Sequence, residues 1–185
     1  MCAICCCTRT RPSSALRAYT THRGSGTEVC SGLKAWHADG RRRGLREVQG
    51  NATVKNLVAQ GVCDFGLTDT DDFFLAKDAG RPVAMVPVTL ADGAAICIPN
   101  TAAVIRGTRR PKRARRLVDY LASEACEVAL ANSPSRQVPL GPVDEGKLPE
   151  AVRRLKAYVG KGVPLAALHS AREACLAWLK EEYLK

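Results

Sequence analysis

The sequence has no run of about 18 apolar residues, the length that a membrane-spanning helix needs. We therefore expect no membrane span. It contains only three histidines, and none stands in a serine, cysteine or aspartate arrangement typical of a catalytic site. It also lacks a phosphate-binding loop, a nucleophile elbow and a dinucleotide-binding fingerprint. These absences exclude the motif-based enzyme classes, and we predict no catalysis.

The first residues lack the features of a secretory signal peptide. The apolar stretch from Cys2 to Thr8 is too short, and Arg9 and Arg11 follow it where a signal peptide has its charges first. As written, the chain is compatible with a cytoplasmic location. No internal repeat or low-complexity tract interrupts it.

The composition is that of a folded protein. The chain has 185 residues, of which 46% are hydrophobic and 25% charged, and a formal net charge of +10. Such a chain can bury a core, so wholesale disorder is excluded. The length fits one ordinary domain or a large piece of a two-lobed protein.

The charge and the cysteines are concentrated near the beginning. Residues 1–50 contain nine Lys or Arg, three acidic residues and five of the nine cysteines. No sustained apolar period is evident there, and Gly, Ser, Thr and Arg dominate. We predict that residues 1–45 are an irregular, basic, poorly ordered segment and that residues 46–185 form the folded region.

Beyond residue 50, helical and strand patterns alternate. We predict a helix over residues 53–60 with Asn51 as its cap, a buried strand over 62–67, and a helix over 70–79 capped by Asp69. Further strands are predicted over 83–88 and 94–98. This alternation favours an α/β layer structure.

The last third of the sequence is mainly helical. We predict helices over residues 111–121, 124–131, 149–158 and 165–183. In the first of these, four apolar residues with helical spacing are expected to face inward: Ala114, Leu117, Val118 and Leu121. In the last, the predicted buried stripe consists of Leu168, Cys175, Leu176 and Leu179.

Several of these segments resemble the second lobe of periplasmic solute-binding proteins of ABC importers, especially the iron(III)-binding type. The segments are Gly50-Asn51-Ala52-Thr53-Val54, Leu57-Val58-Ala59-Gln60-Gly61 and Asp64-Phe65-Gly66-Leu67-Thr68-Asp69-Thr70-Asp71-Asp72. Ile98-Pro99-Asn100-Thr101-Ala102 and the helix after Arg110-Pro111 resemble the segment that returns to the other lobe. The resemblance covers about residues 45 to 180 and depends on the order and spacing of these pieces.

The resemblance implies a fold, a location and partners. It implies an incomplete type II periplasmic-binding-protein lobe, a three-layer αβα structure with a C-terminal helical segment. It further implies a small solute or metal ion as ligand, ABC permease subunits as partners, and a periplasmic or extracellular location. Since such proteins have two lobes, we expect a truncated chain or fragment in which the first lobe and the signal peptide are missing.

Five polar residues are the candidate ligand contacts. Asn51 and Thr53 stand at a helix start, where free backbone amides can bind an anion, and the resemblance implies this role for them. Alternatively, Asn51 only caps its helix. Asp69 is a further candidate ligand contact. Asp71 and Asp72 are the remaining candidates, and they occupy positions at which iron-binding relatives have adjacent tyrosines.

The aspartates have two interpretations. Carboxylates are hard oxygen ligands that suit iron(III) or another hard metal ion, here with a synergistic anion, although no cofactor is certain. Alternatively, Asp71 and Asp72 only complement the dipole of the helix that they begin. Loss of the tyrosines weakens the case for ferric binding by the usual phenolate ligands.

Two further clusters suggest other functions. The basic residues 41–43 and 109–116 raise the alternative of a nucleic-acid-binding protein, but no aromatic residues interleave with them and no nucleic-acid-binding module is evident. We therefore expect no nucleic-acid partner. Cys2, Cys5, Cys6 and Cys7 lack a second ligand pair at zinc-site spacing. Cys63, Cys97, Cys126 and Cys175 lie in apolar contexts and are predicted to be core thiols.

Overall fold

A computed structural model describes residues 4–8, 26–90 and 92–183, which combine helices and strands in a mixed α/β protein. The strands are β1 (Ile4–Thr8), β2 (Phe65–Asp69) and β3 (Ala84–Pro87). The helices are α1 (Gly26–Arg42), α2 (Asn51–Ala59), α3 (Thr70–Asp78), α4 (Pro111–Leu121), α5 (Glu124–Ala131), α6 (Glu150–Val159) and α7 (His169–Tyr183). Short 3-10 helices cover Glu145–Lys147 and Leu165–Leu168. Within these described residues, no helix combines the length and apolar character needed to cross a bilayer.

The three strands form a small antiparallel sheet in the order β2-β1-β3. In the register of this sheet, Cys6 is opposite Leu67 of β2 and Val86 of β3. Helices α2 and α3 contact this sheet and each other. The polar residues around the ends of β2, α2 and α3 therefore lie in one region of the molecule.

Three small apolar clusters are buried in the part of the chain that the structure describes. Val58, Ala76 and Val83 join α2 to α3 and to the residue before β3. Phe74, Val138 and Leu155 join α3 to α6 through the segment after α5, and Ala131, Leu148 and Val152 join α5 to α6. Because α3 contributes to two of the clusters, its position, and that of the aspartates at its start, is determined by packing on both sides.

The start of the chain is more regular than the sequence pattern predicted. The described residues of the segment 1–45 include the strand β1 and the 17-residue helix α1. Cys30 and His37 on α1 are buried. Their seven-residue spacing is a helical period, but a histidine and several glycines mask it in the sequence. The prediction of an irregular segment is therefore wrong for residues 4–8 and 26–42, because packing against α7 stabilises α1.

Helix α4 differs from its prediction in burial. Its boundaries agree with the predicted 111–121, but it has no buried residue. Leu117 is 58% exposed and Leu121 42% exposed, on the face that was expected to point inward. This face is only partly covered, since Ala114 and Val118 are half-buried and α5 contacts α4.

Smaller differences concern strand boundaries and the last helix. The predicted strand over residues 94–98 is reduced to bridges at Ala95, which pairs with Thr89 and Gly162. Strand β2 begins later than predicted and is not fully buried, since Phe65 is 51% exposed. The predicted 165–183 helix is divided into a 3-10 turn and α7, and Leu168 of its expected buried stripe is exposed.

Candidate ligand-binding site

The start of α2 is shaped by a glycine rather than by an asparagine cap. Gly50 is the N-cap residue with a φ of 85°, a left-handed conformation that glycine adopts without steric cost. Asn51 is the first helical residue, so the prediction that it caps the helix is wrong. No side chain caps this end among the described residues, and Asn51 and Thr53 are exposed.

The amide side chain of Asn51 is used for a tertiary contact. Its Nδ2 donates a short hydrogen bond to Oδ2 of Asp69, which is the N-cap residue of α3. Asp69 has extended backbone angles, and its side chain makes no capping hydrogen bond to α3. The two residues therefore join the starts of α2 and α3 across the end of β2.

Thr68 reinforces this junction from inside. Its hydroxyl lies 2.9 Å from Oδ2 of Asp72 and 3.2 Å from the backbone oxygen of Asn51. Thr68 is 2% exposed and Asp72 8% exposed. Lys55 on α2 places its Nζ 3.7 Å from Oδ1 of Asp72, so this buried carboxylate has both a hydroxyl and an ammonium partner. Asp72 thus has a structural role in linking α2 to α3.

Asp71 has a different environment from its neighbour. Its Oδ1 is buried and has no hydrogen-bond partner in the protein. Burial raises the pKa of Asp71, and the negative charges of Asp72 and Asp69 raise this pKa further, while a backbone hydrogen bond from Asp72 acts in the opposite direction. The adjacent Thr70 is 0% exposed, and its hydroxyl also lacks a partner. Buried polar groups without partners are uncommon in proteins, so the first turn of α3 has unused capacity for hydrogen bonding or coordination.

Thr53 contributes to the shape of the loop before α2. Its hydroxyl donates to the backbone oxygen of Gln49 at 2.8 Å. Because this oxygen precedes Gly50, the bond holds the turn that presents the first amides of α2. Thr53 is therefore engaged in the turn and is not directed to the aspartates.

The predicted residues are thus gathered at one corner, with distinct functions there. Asn51 and Asp69 are in direct contact, Asp72 is reached through Thr68, and Asp71 follows on the same turn of α3. Sequence reasoning missed Thr68 and Lys55. Thr68 stands at the end of a strand and next to a predicted cap, which could have indicated it. Lys55 is one helical turn from Asn51, which could have indicated it as well.

No group of three histidine, cysteine or acidic side chains converges on a metal-sized point in the part of the chain that the structure describes. The assignment of Asp71 and Asp72 to a metal stays a prediction. Two carboxylates are fewer ligands than hard cations such as calcium take in proteins. A hard metal ion at this corner would therefore need further ligands, from an anion or from another protein surface.

A second polar surface lies on α4 and the loop before it. Six cationic residues project here with the exposed apolar side chains of the helix: Arg109, Arg110, Lys112, Arg113, Arg115 and Arg116. All six are exposed, and none forms an ion pair within the described residues. The only acidic residue on α4 is Asp119. This surface is strongly cationic and lies apart in sequence from the corner formed by α2 and α3.

Comparisons with known proteins do not assign the chain to a family. No protein-family model matches it, and no curated protein matches it either. The functional interpretation therefore depends on the geometry described above and on the sequence resemblance.

Proposed function

We propose that this chain is the solute-binding component of an ABC importer, or a fragment of that component, and that it binds its ligand at the corner between the starts of α2 and α3. The observation that carries the proposal is the direct contact between Asn51 and Asp69. These residues are 18 positions apart and were both predicted as ligand contacts. The type II periplasmic-binding fold is part of the same proposal.

The chemistry of the corner favours a cationic ligand accompanied by an anion. Asp69, Asp71 and Asp72 place three carboxylates within one turn, whereas Lys55 is already paired with Asp72. The orphaned Oδ1 of Asp71 is the strongest candidate for a ligand atom, because a cation would relieve both its missing partner and its repulsion from the other carboxylates. Iron(III) or another hard metal ion fits oxygen ligands of this kind.

The uncapped start of α2 would hold the anion. The first amides of a helix have no intrahelical acceptors and carry the positive end of the helix dipole. Here Gly50 and Asn51 leave this end open to solvent. A phosphate or carboxylate group bound there would complete the coordination of a metal held by Asp71.

The exposed apolar residues on β2 and just before it fit an opposing lobe. Val62 is 48% exposed, Phe65 51% and Leu67 39%, and Leu67 lies two residues before Asp69. Hydrophobic surface of this extent beside a polar site is typical of an interface. In the proposed mechanism, two lobes close over the solute by a hinge motion and the closed form is presented to permease subunits in the membrane.

Isothermal titration tests the proposal. The full chain is titrated with ferric, manganese and calcium salts, each with and without phosphate or citrate. We expect heat of binding with at least one metal that grows when the anion is present, and its loss in Asp71→Asn. Asp119→Asn is the matched control, because it removes one exposed carboxylate from α4. Absence of binding heat for every combination would remove the metal-site version of the proposal.

The cationic surface around α4 supports a second candidate, a nucleic-acid-binding protein. Exposed arginines without acidic partners bind phosphates, and such binding weakens steeply with salt. Filter binding of duplex DNA at two salt concentrations tests it. Replacement of Arg113, Arg115 and Arg116 by glutamine is expected to flatten the salt dependence, while Arg153→Gln on α6 leaves it unchanged. DNA retention that does not depend on salt would contradict this candidate.

A further inference from the structure

Helices α1 and α7, which are far apart in sequence, pack side by side. The His37 ring lies edge-on to Trp178 with centroids 5.2 Å apart, and its Nε2 is 2.6 Å from the hydroxyl of Tyr183. One turn later, Arg41 donates to Glu182 at 2.8 Å. Because later residues of α1 contact later residues of α7, the two helices run in the same direction.

This register brings two thiols together. Cys30 lies about two turns before His37 on the same face of α1, and Cys175 lies about two turns before Tyr183 on α7. Both cysteines are free thiols. Burial raises the pKa of the Cys175 thiol, and direct interaction with the Cys30 thiol raises this pKa further.

The two thiols differ in access. Cys30 is only 6% exposed. Cys175 is half-buried and borders an open cavity of about 380 Å³, together with Val29, Ala171 and Arg172. A small reagent can therefore reach the sulfur of Cys175 more readily than the buried sulfur of Cys30.

We propose that Cys30 and Cys175 form a redox-active thiol pair that closes to a disulfide by exchange with a small-molecule disulfide such as oxidised glutathione. The thiolate of Cys175 attacks one sulfur of the reagent, forms a mixed disulfide and releases one glutathione thiolate. The thiolate of Cys30 then attacks the Cys175 sulfur and releases the second glutathione thiolate. Overall, the two protein thiols lose two protons and two electrons, and the reagent is reduced to two thiols.

The bond would attach α1 to α7 covalently. Disulfides that close long loops restrict the unfolded chain, and this one would enclose most of the sequence. Three other free cysteines are suited as controls. Cys63 packs against the cluster around Val58, Cys97 donates to the backbone oxygen of Tyr158, and Cys126 is buried on α5.

Peptide mapping tests the pair directly, because trypsin isolates each cysteine. Cleavage after lysine and arginine places Cys30 alone in the peptide 24–34 and Cys175 alone in the peptide 173–180. The native full chain is incubated with reduced or oxidised glutathione, its remaining thiols are alkylated, and the digest is analysed without reduction. We expect the linked 24–34/173–180 pair after oxidation of the native chain, at a rate that rises with pH because the attacking species is the thiolate.

Serine variants identify the order of attack. In Cys30→Ser we expect glutathione to accumulate on Cys175, whereas in Cys175→Ser no such adduct forms on Cys30. Cys63→Ser is the control and is expected to leave the linked pair unchanged. The oxidised native chain should also unfold at a higher urea concentration than the reduced chain, and this shift should disappear in Cys30→Ser.

A chain oxidised after unfolding in urea provides the reference, because its nine cysteines can pair without a structural preference. The proposal is overturned if the native chain gives no linked 24–34/173–180 pair, or if it gives the same mixture of pairs as the unfolded reference. It is also overturned if Cys175 is alkylated at the same rate before and after oxidation.

Discussion

The side-chain amide of Asn51 donates to the carboxylate of Asp69 and thereby connects the first residue of α2 to the N-cap residue of α3. An asparagine at a helix start usually satisfies its own helix. Here the Asn51 side chain instead binds the N-cap residue of α3, and Gly50 is the N-cap residue of α2. This contact joins the two helix starts into the corner on which the proposed binding function depends.

Replacement of Asn51 by alanine should destabilise the protein modestly. The variant loses one hydrogen bond to an exposed carboxylate, and such a bond contributes about 1 kcal/mol. Urea unfolding measures the change in the free energy of unfolding. Asn56→Ala is the matched control, since Asn56 is exposed on the same helix. Because alanine has a higher helix propensity than asparagine, Asn56→Ala should lose no stability, and an equal loss in both variants would show that the contact with Asp69 does not account for the effect.

Thr68→Val should cost more than Asn51→Ala, because it leaves the buried carboxylate of Asp72 without its hydroxyl donor. Removing one partner of a buried polar pair costs about 1–3 kcal/mol, and valine has nearly the shape of threonine. Urea unfolding again provides the measurement, with the exposed Thr101→Val as control. A loss no larger than that of the control would mean that Lys55 alone satisfies Asp72.

Gly66→Ala should be destabilising because β2 passes close to α2. A methyl group at residue 66 would collide with Cγ1 of Val54. Overpacking of this kind costs about 1–3 kcal/mol. The double variant Gly66→Ala with Val54→Ala should recover part of the loss, measured as a coupling in urea unfolding. Gly160→Ala is the control, because open space surrounds that position, and destabilisation of equal size there would contradict the explanation.

Asp71→Asn should stabilise the unliganded chain at neutral pH and do so less at acidic pH. The folded pKa of Asp71 is raised, mainly by burial, above the ordinary value of 3.8. The protonated carboxyl is therefore favoured in the folded state, and this contribution to stability is lost as the pH rises from 3.8 through the folded pKa. Asparagine removes the charge at every pH.

Urea unfolding of Asp71→Asn and of the unchanged chain between acidic and neutral pH tests the direction of this effect. The free energy of unfolding of the variant should exceed that of the unchanged chain by an amount that grows as the pH rises. Asp119→Asn is expected to show no comparable growth, since Asp119 lies on the exposed face of α4. If the stability gained by Asp71→Asn were largest at acidic pH, the result would contradict the burial of Asp71.

The boundaries of α4 and α5 could be predicted because local chemistry sets them. Pro111 begins α4 and Ser123 caps α5, where its hydroxyl accepts from the amide of Cys126. Both elements have the boundaries that the sequence indicates. The predicted grouping of polar residues near Asn51 and Asp69 also follows from positions at element ends. The type II fold and the ligand remain predictions, because no position at an element end specifies them.

Partners across the fold could not be predicted in the same way. The sequence by itself determined the composition of a folded α/β chain, the positions of most helices and the polar character of the α2–α3 corner, because these depend on neighbours a few residues apart. Only the tertiary structure decided that α1 is a helix paired with α7 and that α4 leaves Leu117 and Leu121 exposed. It also decided that the Asp72 carboxylate has side-chain partners while Oδ1 of Asp71 has none. These outcomes depend on which surfaces meet in three dimensions, and the free energy of such contacts is not contained in any local pattern.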